Sequence, residues 1–196
     1  MQPLIFATGN ANKVLEVNQL LEGTNLEVKS LVQIGHTAEL EETQDTLQGN
    51  ALQKARFVRD TYGMDCFSED TGLEVDALDG APGVHTAYYG GPERSAGQNI
   101  AKLLAELGEE EARGAQFRTV IALCLDGEEH LFEGICRGRI ATTKSGKGGF
   151  GYDPVFLPDG HDRSFAELDS AAKNAISHRG RAVAQLVAFL RRQEGG

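Results

Sequence analysis

Leu4-Ile5-Phe6-Ala7 constrains the fold more than any other run in this chain, being four apolar residues without alternation that end abruptly at Thr8-Gly9-Asn10. A strand with one wet face alternates apolar and polar side chains, so an unbroken run predicts a strand buried on both faces. Val14, Val17, Leu20 and Leu21 then recur at helical spacing. The order is strand, tight turn, helix.

Further elements follow the same logic. Leu26 to Leu31 alternates as a second strand after the Gly23-Thr24-Asn25 stop. The acidic stretch Glu39 to Asp45 leads into a helix carrying Leu47, Ala51, Ala55 and Val58, ending near Gly63. Met64 to Ser68 reads as a short strand and Leu73 to Val75 as another, with a turn expected at Glu69-Asp70-Thr71-Gly72. Residues 79 to 94, with four glycines and two prolines, predict a long loop. Ser95 and Gln98 make a capping pattern before Ile100, Leu103, Leu104 and Leu107, which Gly108 closes. Asp126-Gly127 between Phe117–Leu125 and His130–Thr142 is a strong hairpin signal, so antiparallel strands join a strand-helix order. A terminal helix is expected from Arg181 to Arg192. With no repeat and no linker, residues 1–196 read as one domain.

Composition excludes several classes. Nineteen basic against 29 acidic residues leave a formal charge of −10, which repels a nucleic-acid backbone at long range. A phosphorylated small molecule is compatible with it, since local cations or a metal override the global field. Three cysteines, Cys66, Cys124 and Cys136, lack C-x-x-C spacing and favour a reducing compartment. No segment nears the ~20 consecutive apolar residues of a membrane span, and Gly9, Asn10 and Lys13 interrupt the N-terminus too early for a signal peptide. A cytoplasmic protein without membrane contact is expected.

Five features carry chemistry. Thr8-Gly9-Asn10-Ala11-Asn12-Lys13 joins a buried strand to a helix N-terminus, which suits an anion, although Asn10 or Asn12 as a simple cap explains the same residues. Glu41-Glu42 and Glu69-Asp70 can offer oxygen to a hard cation, or merely solvate the surface. Lys54 follows Asn50 by one helical turn, so both can face one ligand. Gly146-Lys147-Gly148-Gly149-Phe150-Gly151-Tyr152-Asp153-Pro154 sets aromatic rings and a carboxylate in a segment that is nearly all backbone. It also spells Gly-x-Gly-x-x-Gly, but a dinucleotide fingerprint must open a helix, and Pro154 follows instead. Lys173 and the adjacent His178 and Arg179 add donors near the last helix.

Taken together, Thr8-Gly9-Asn10 with Lys13, Glu42, Glu69-Asp70-Thr71-Gly72, Asp79-Gly80-Ala81-Pro82-Gly83, Gly148 to Pro154 and Ser177-His178-Arg179-Gly180 resemble the inosine/xanthosine triphosphate pyrophosphatase family, in order and spacing, from about residue 4 to about residue 190. Two departures preserve the functional groups: Glu69-Asp70 stands where many bacterial members have Asp-Asp, and Thr71 where many have Ser. The resemblance implies an α/β fold with an elongated mixed sheet flanked by helices, two lobes around a central nucleotide-binding cleft, and a homodimer. It implies Mg²⁺-dependent hydrolysis of ITP, dITP and XTP to the monophosphate and pyrophosphate. By the same match Asp70 is metal ligand and proton acceptor, Glu42 the second metal carboxylate, and Thr8, Gly9, Asn10, Ala11, Asn12 and Lys13 hold the triphosphate with help from Lys54 and Thr71. Phe150 stacks on the purine, while Gly151, Tyr152, Asp153, Lys173, His178 and Arg179 read its edge. A non-catalytic purine-nucleotide sensor is the alternative.

Overall fold

The structure, a computed structural model, describes residues 3–194. Its six strands are hydrogen-bonded in the order β2-β1-β3-β4-β5-β6. β1 (Leu4–Phe6) is buried throughout and runs parallel both to β2 (Val28–Ser30), in register Leu4↔Val28, and to β3 (Cys66–Val75), in register Ile5↔Cys66. The expected two-sided burial of Leu4 to Phe6 follows from that central position. β4 (Gly114–Leu125) and β5 (Glu128–Ile140) form the hairpin, with Asp126 and Gly127 both at positive φ, 50° and 83°, as a two-residue turn of this kind requires. β6 (Phe156–Pro158) is antiparallel to β5, so the sheet is mixed.

Helices take the covering positions. α1 (Ala11–Leu21) is capped by Asn10, whose side chain accepts from the amides of Asn12 and Lys13 at 3.0 and 3.2 Å. α2 (Leu47–Tyr62) starts at the Thr46 cap and stops where Gly63 turns left-handed. α3 (Ala96–Leu107) begins at Ser95 and ends at Gly108. α4 (Ser170–Ile176) precedes α5 (His178–Glu194). Two expectations change here. α4 escaped notice because a seven-residue helix leaves little periodicity to read, and α5 starts three residues before the first expected position.

The larger correction concerns β3. Residues 69–72, expected as a turn between two strands, lie inside one ten-residue strand in which Glu69 is fully buried. Polar residues signal a turn only while they are solvated, and Glu69 is instead held by the buried Arg179 and the half-buried Lys13. The long loop expected over 79–94 contains a 3-10 turn at Gly83–Tyr88. No α-helix follows the glycine run, where a 3-10 turn forms at Asp153–Val155, and this removes the dinucleotide fingerprint.

By compactness the chain divides into two units, one of Met1–Asp70, Thr119–Gly134 and Arg179–Gly196, the other of Thr71–Arg118 and Ile135–His178. Each has its own core. In the first, Leu4, Phe6, Val17, Phe67, Ile121, Leu123, Val183, Leu186 and Leu190 pack together, with Phe6 and Phe67 rings stacked at 4.5 Å. In the second, Leu73, Val75, Ile100, Leu103, Phe117, Tyr152, Phe156 and Phe165 do so, Phe117 lying 4.7 Å from Phe156.

Candidate active site

Successive side chains of a strand leave on opposite faces, so the neighbouring acids of β3 serve different partners. Glu69 meets α1 and α5. Arg179 donates to it through Nε and Nη2, both at 2.8 Å, and Lys13 Nζ lies 3.2 Å from its Oε1. Arg179 also donates to Glu16 of α1 through Nη1. Burial alone would raise the Glu69 carboxyl, but the charges of Arg179 and Lys13 outweigh it and hold Glu69 well below the usual carboxylate range.

Asp70 meets α2. Asn50 Nδ2 donates to its Oδ2 at 3.1 Å, and the Lys54 ammonium lies 3.8 Å from its Oδ1. Lys54 is 4% exposed; it donates to Glu42 and, at 2.8 Å, to the carbonyl of Glu69. Burial pushes the Asp70 carboxyl up, Lys54 and Lys13 pull it back only in part, and the nearby Glu42 charge adds to the rise. A buried, partly basic carboxylate thus sits beside a second carboxylate, with a cation touching both. The first unit gathers Lys13, Glu42, Lys54 and Asp70 around this strand, while Thr8 caps the Asn10 amide at 3.2 Å at the entry to α1.

In the second unit the glycine run is a cradle for Asp153. Its Oδ2 accepts from the Phe150 amide at 2.8 Å and from Lys173 Nζ at 2.7 Å, and the same ammonium stands 5.0 Å from the Phe150 ring centre. Phe150 and Gly151 are half-buried, whereas Tyr152 is buried and donates its hydroxyl to the Thr86 carbonyl at 2.9 Å. His178 is buried too, stacked on Phe117 at 4.6 Å. Gly149 (φ +68°) is irreplaceable by geometry, because a Cβ there would lie 2.0 Å from Asp153 Oδ2. Gly149→Ala is therefore expected to cost about 1–3 kcal/mol in chemical denaturation. Gly151→Ala, equally left-handed but with open space around its Cβ, should cost less, and equal losses would remove the cradle from the account.

Residue order along the whole chain decides the kinship, because the sequence model of the Ham1 family matches residues 4–189. The chain belongs to the Ham1 family. This Ham1-family chain is 54% identical over 191 residues to a dITP/XTP pyrophosphatase of Porphyromonas gingivalis, covering 97% of this chain and 98% of the relative. It is 50% identical over 187 residues to a dITP/XTP pyrophosphatase of Christiangramia forsetii, covering 95% and 98%. A solved HAM1 protein structure from Coxiella burnetii superimposes with a TM-score of 0.90 at 36% identity, covering 98% of this chain and 100% of that one. The Ham1 fold is thus the mixed six-stranded sheet described above.

Two residues of this Ham1-family site escaped sequence reasoning. Glu16 occupies a buried position of α1 one turn after Lys13, and a charge at an apolar-periodic position was the signal available. Glu69 looked like half of an acidic pair for a cation, and is instead the buried partner of Arg179 and Lys13. Arg179, matched to the purine edge by resemblance, is 1% exposed and donates to Glu69 and Glu16.

Proposed function

We propose that the protein hydrolyses deaminated purine nucleoside triphosphates, ITP, dITP and XTP, to the monophosphate and pyrophosphate with Mg²⁺, and that residues 1–196 act as one pyrophosphatase domain. The observation that carries this reading is the Asp70, Glu42 and Lys54 cluster beside the N-terminus of α1, in a chain matched end to end by relatives named for that reaction.

The donor set fits the ion. Among the described residues no group of three or more His, Cys, Asp or Glu is placed to hold a metal alone. Mg²⁺ does not need one, since it is usually held by one or two carboxylates with waters and substrate phosphates. Asp70 and Glu42 supply hard oxygen ligands that already share one cation. When bound, Mg²⁺ would neutralise phosphate charge and make a coordinated water more acidic. Asn50 fixes the rotation of the Asp70 carboxylate, and burial makes that carboxylate a stronger proton acceptor for the attacking water. Lys13, Lys54, Thr71 and the Thr8 to Asn12 turn bind the triphosphate, the turn through exposed residues at the positive end of α1. Phe150 offers its ring to the purine, and Lys173, His178 and the backbone of Gly151 to Asp153 read the edge. Arg179 enters through Glu69 and Glu16, which bind its guanidinium.

A homodimer and a cytoplasmic setting complete the reading. No helix of the described residues is long and apolar enough to cross a membrane. Light scattering on purified protein checks the dimer.

The decisive test is pyrophosphate release with Mg²⁺ across ITP, XTP, GTP and ATP. Hypoxanthine and xanthine present a carbonyl at position 6 that accepts from a donor such as Lys173, whereas adenine presents an amino group and leaves donor facing donor. Sites of that kind discriminate by up to ~10⁴-fold, so kcat/KM for ITP should exceed that for ATP by at least ~10²-fold. Equal values would overturn the substrate class, and nucleotide binding without pyrophosphate release would leave a sensor.

A further inference from the structure

Lys54 occupies an unusual position for a surface-helix lysine. Its ammonium donates to Glu42 and to the Glu69 carbonyl at 2.8 Å, and stands 3.8 Å from Asp70 Oδ1. These include both carboxylates that the proposed function gives to the metal. Three oxygens from two chain segments, the Glu42 loop and β3, converging on one buried cation resemble the way a protein holds a hard metal ion. A lysine so placed competes with a divalent ion for the same oxygens, because two positive centres about 4 Å apart repel strongly in a site of reduced dielectric.

We propose that Lys54 is a resident stand-in for the divalent cation: its ammonium bridges Glu42, Asp70 and the Glu69 carbonyl until a nucleotide's phosphates draw it away, so that metal binds with the nucleotide and not before it. The inference rests on the metal reading given above. It makes Lys54 a positioning residue with two successive sets of partners, carboxylates in the empty site and phosphate oxygens in the loaded one. Before nucleotide arrives, the bridge keeps the buried Asp70 and the half-buried Glu42 from facing each other uncompensated. Once a triphosphate is present, its negative charge supplies the ammonium with new acceptors and the two carboxylates with a reason to take Mg²⁺. Loss of the phosphates reverses the exchange, so the returning ammonium helps the metal to leave with pyrophosphate.

The probe is Mn²⁺ followed by electron paramagnetic resonance, with no turnover required. In nucleotide-free protein, Lys54→Met should bind Mn²⁺ at least about tenfold more tightly than wild type, since a repelling charge about 4 Å away is gone. Lys54→Arg, which keeps the charge, should stay as weak as wild type. Adding the non-cleavable α,β-methylene analogue of ITP should tighten Mn²⁺ binding in wild type far more than in Lys54→Met. Lys54→Gln carries the same test if the Met variant does not fold, as judged by circular dichroism. Unchanged or weaker nucleotide-free binding in the neutral variants, or equal tightening in Lys54→Arg, would overturn the stand-in role. The metal reading is tested separately: if Glu42→Gln and Asp70→Asn, each with the analogue bound, hold Mn²⁺ as tightly as the wild-type analogue complex does, it is the carboxylate site that fails.

Discussion

Asp70→Asn is expected to lower kcat by about 10³-fold while the protein stays folded, within the range that removal of a positioned proton acceptor usually produces. The amide preserves the shape of the side chain but has no negative charge to receive a proton or to bind a cation. Burial and the Glu42 charge lift the Asp70 carboxyl, which places more basicity on the group that is lost. Asn50 can still donate to the remaining oxygen, so circular dichroism and the thermal midpoint should change little. Steady-state pyrophosphate release from ITP, measured beside those two controls, checks the expectation. A variant within tenfold of wild type would take proton transfer away from Asp70.

Arg179→Ala should do its damage through the fold. Arg179 is fully buried and its guanidinium is shared between Glu69, on β3, and Glu16, on α1. Truncation leaves two carboxylates, one of them with no exposure at all, without the guanidinium they share, while Lys13 still lies beside Glu69. Removing one partner of a buried pair typically costs about 3–5 kcal/mol. Urea denaturation should therefore show a lower midpoint at unchanged slope. Glu16→Gln relieves one of the two carboxylates and should recover part of the loss in the double variant. A single-variant loss below about 1 kcal/mol would show that the network is solvated in solution. The same protein answers a second question. If nucleotide preference survives in Arg179→Ala under conditions where it is folded, the purine edge is read by other groups, among which Lys173 and His178 stand first.

The two expectations turn on Asp70 and on the Arg179 partner Glu69, which the sequence places next to each other yet uses in opposite ways. Glu69 and Asp70 invite the reading of a single acidic pair, and the period of a strand divides them: one side chain enters a buried ion network with α1 and α5, the other turns to α2. That division was invisible while 69–72 read as a turn, because polarity in sequence cannot distinguish a solvated acid from one neutralised by distant cations. The partner that makes Glu69 tolerable in a strand lies 110 residues away.

What the chain could determine by itself is whatever depends on neighbours in sequence. The buried run Leu4–Phe6, the Asn10 cap, the end of α2 at Gly63 and the Asp126-Gly127 hairpin all follow from local periodicity, capping and permitted φ, and the structure contains them. The order of motifs from Thr8 to Arg179 likewise sufficed to place the chain in its family. Tertiary structure alone decided that β3 is continuous, that Glu16 and Glu69 share Arg179, that Asp153 is held by Lys173 and a glycine cradle, and that Lys54 bridges Glu42 and Asp70. The physical reason is common to all four. Burying a charge is prohibitive for an isolated segment and acceptable only when folding delivers a counter-charge from elsewhere in the chain, so no local pattern can announce it.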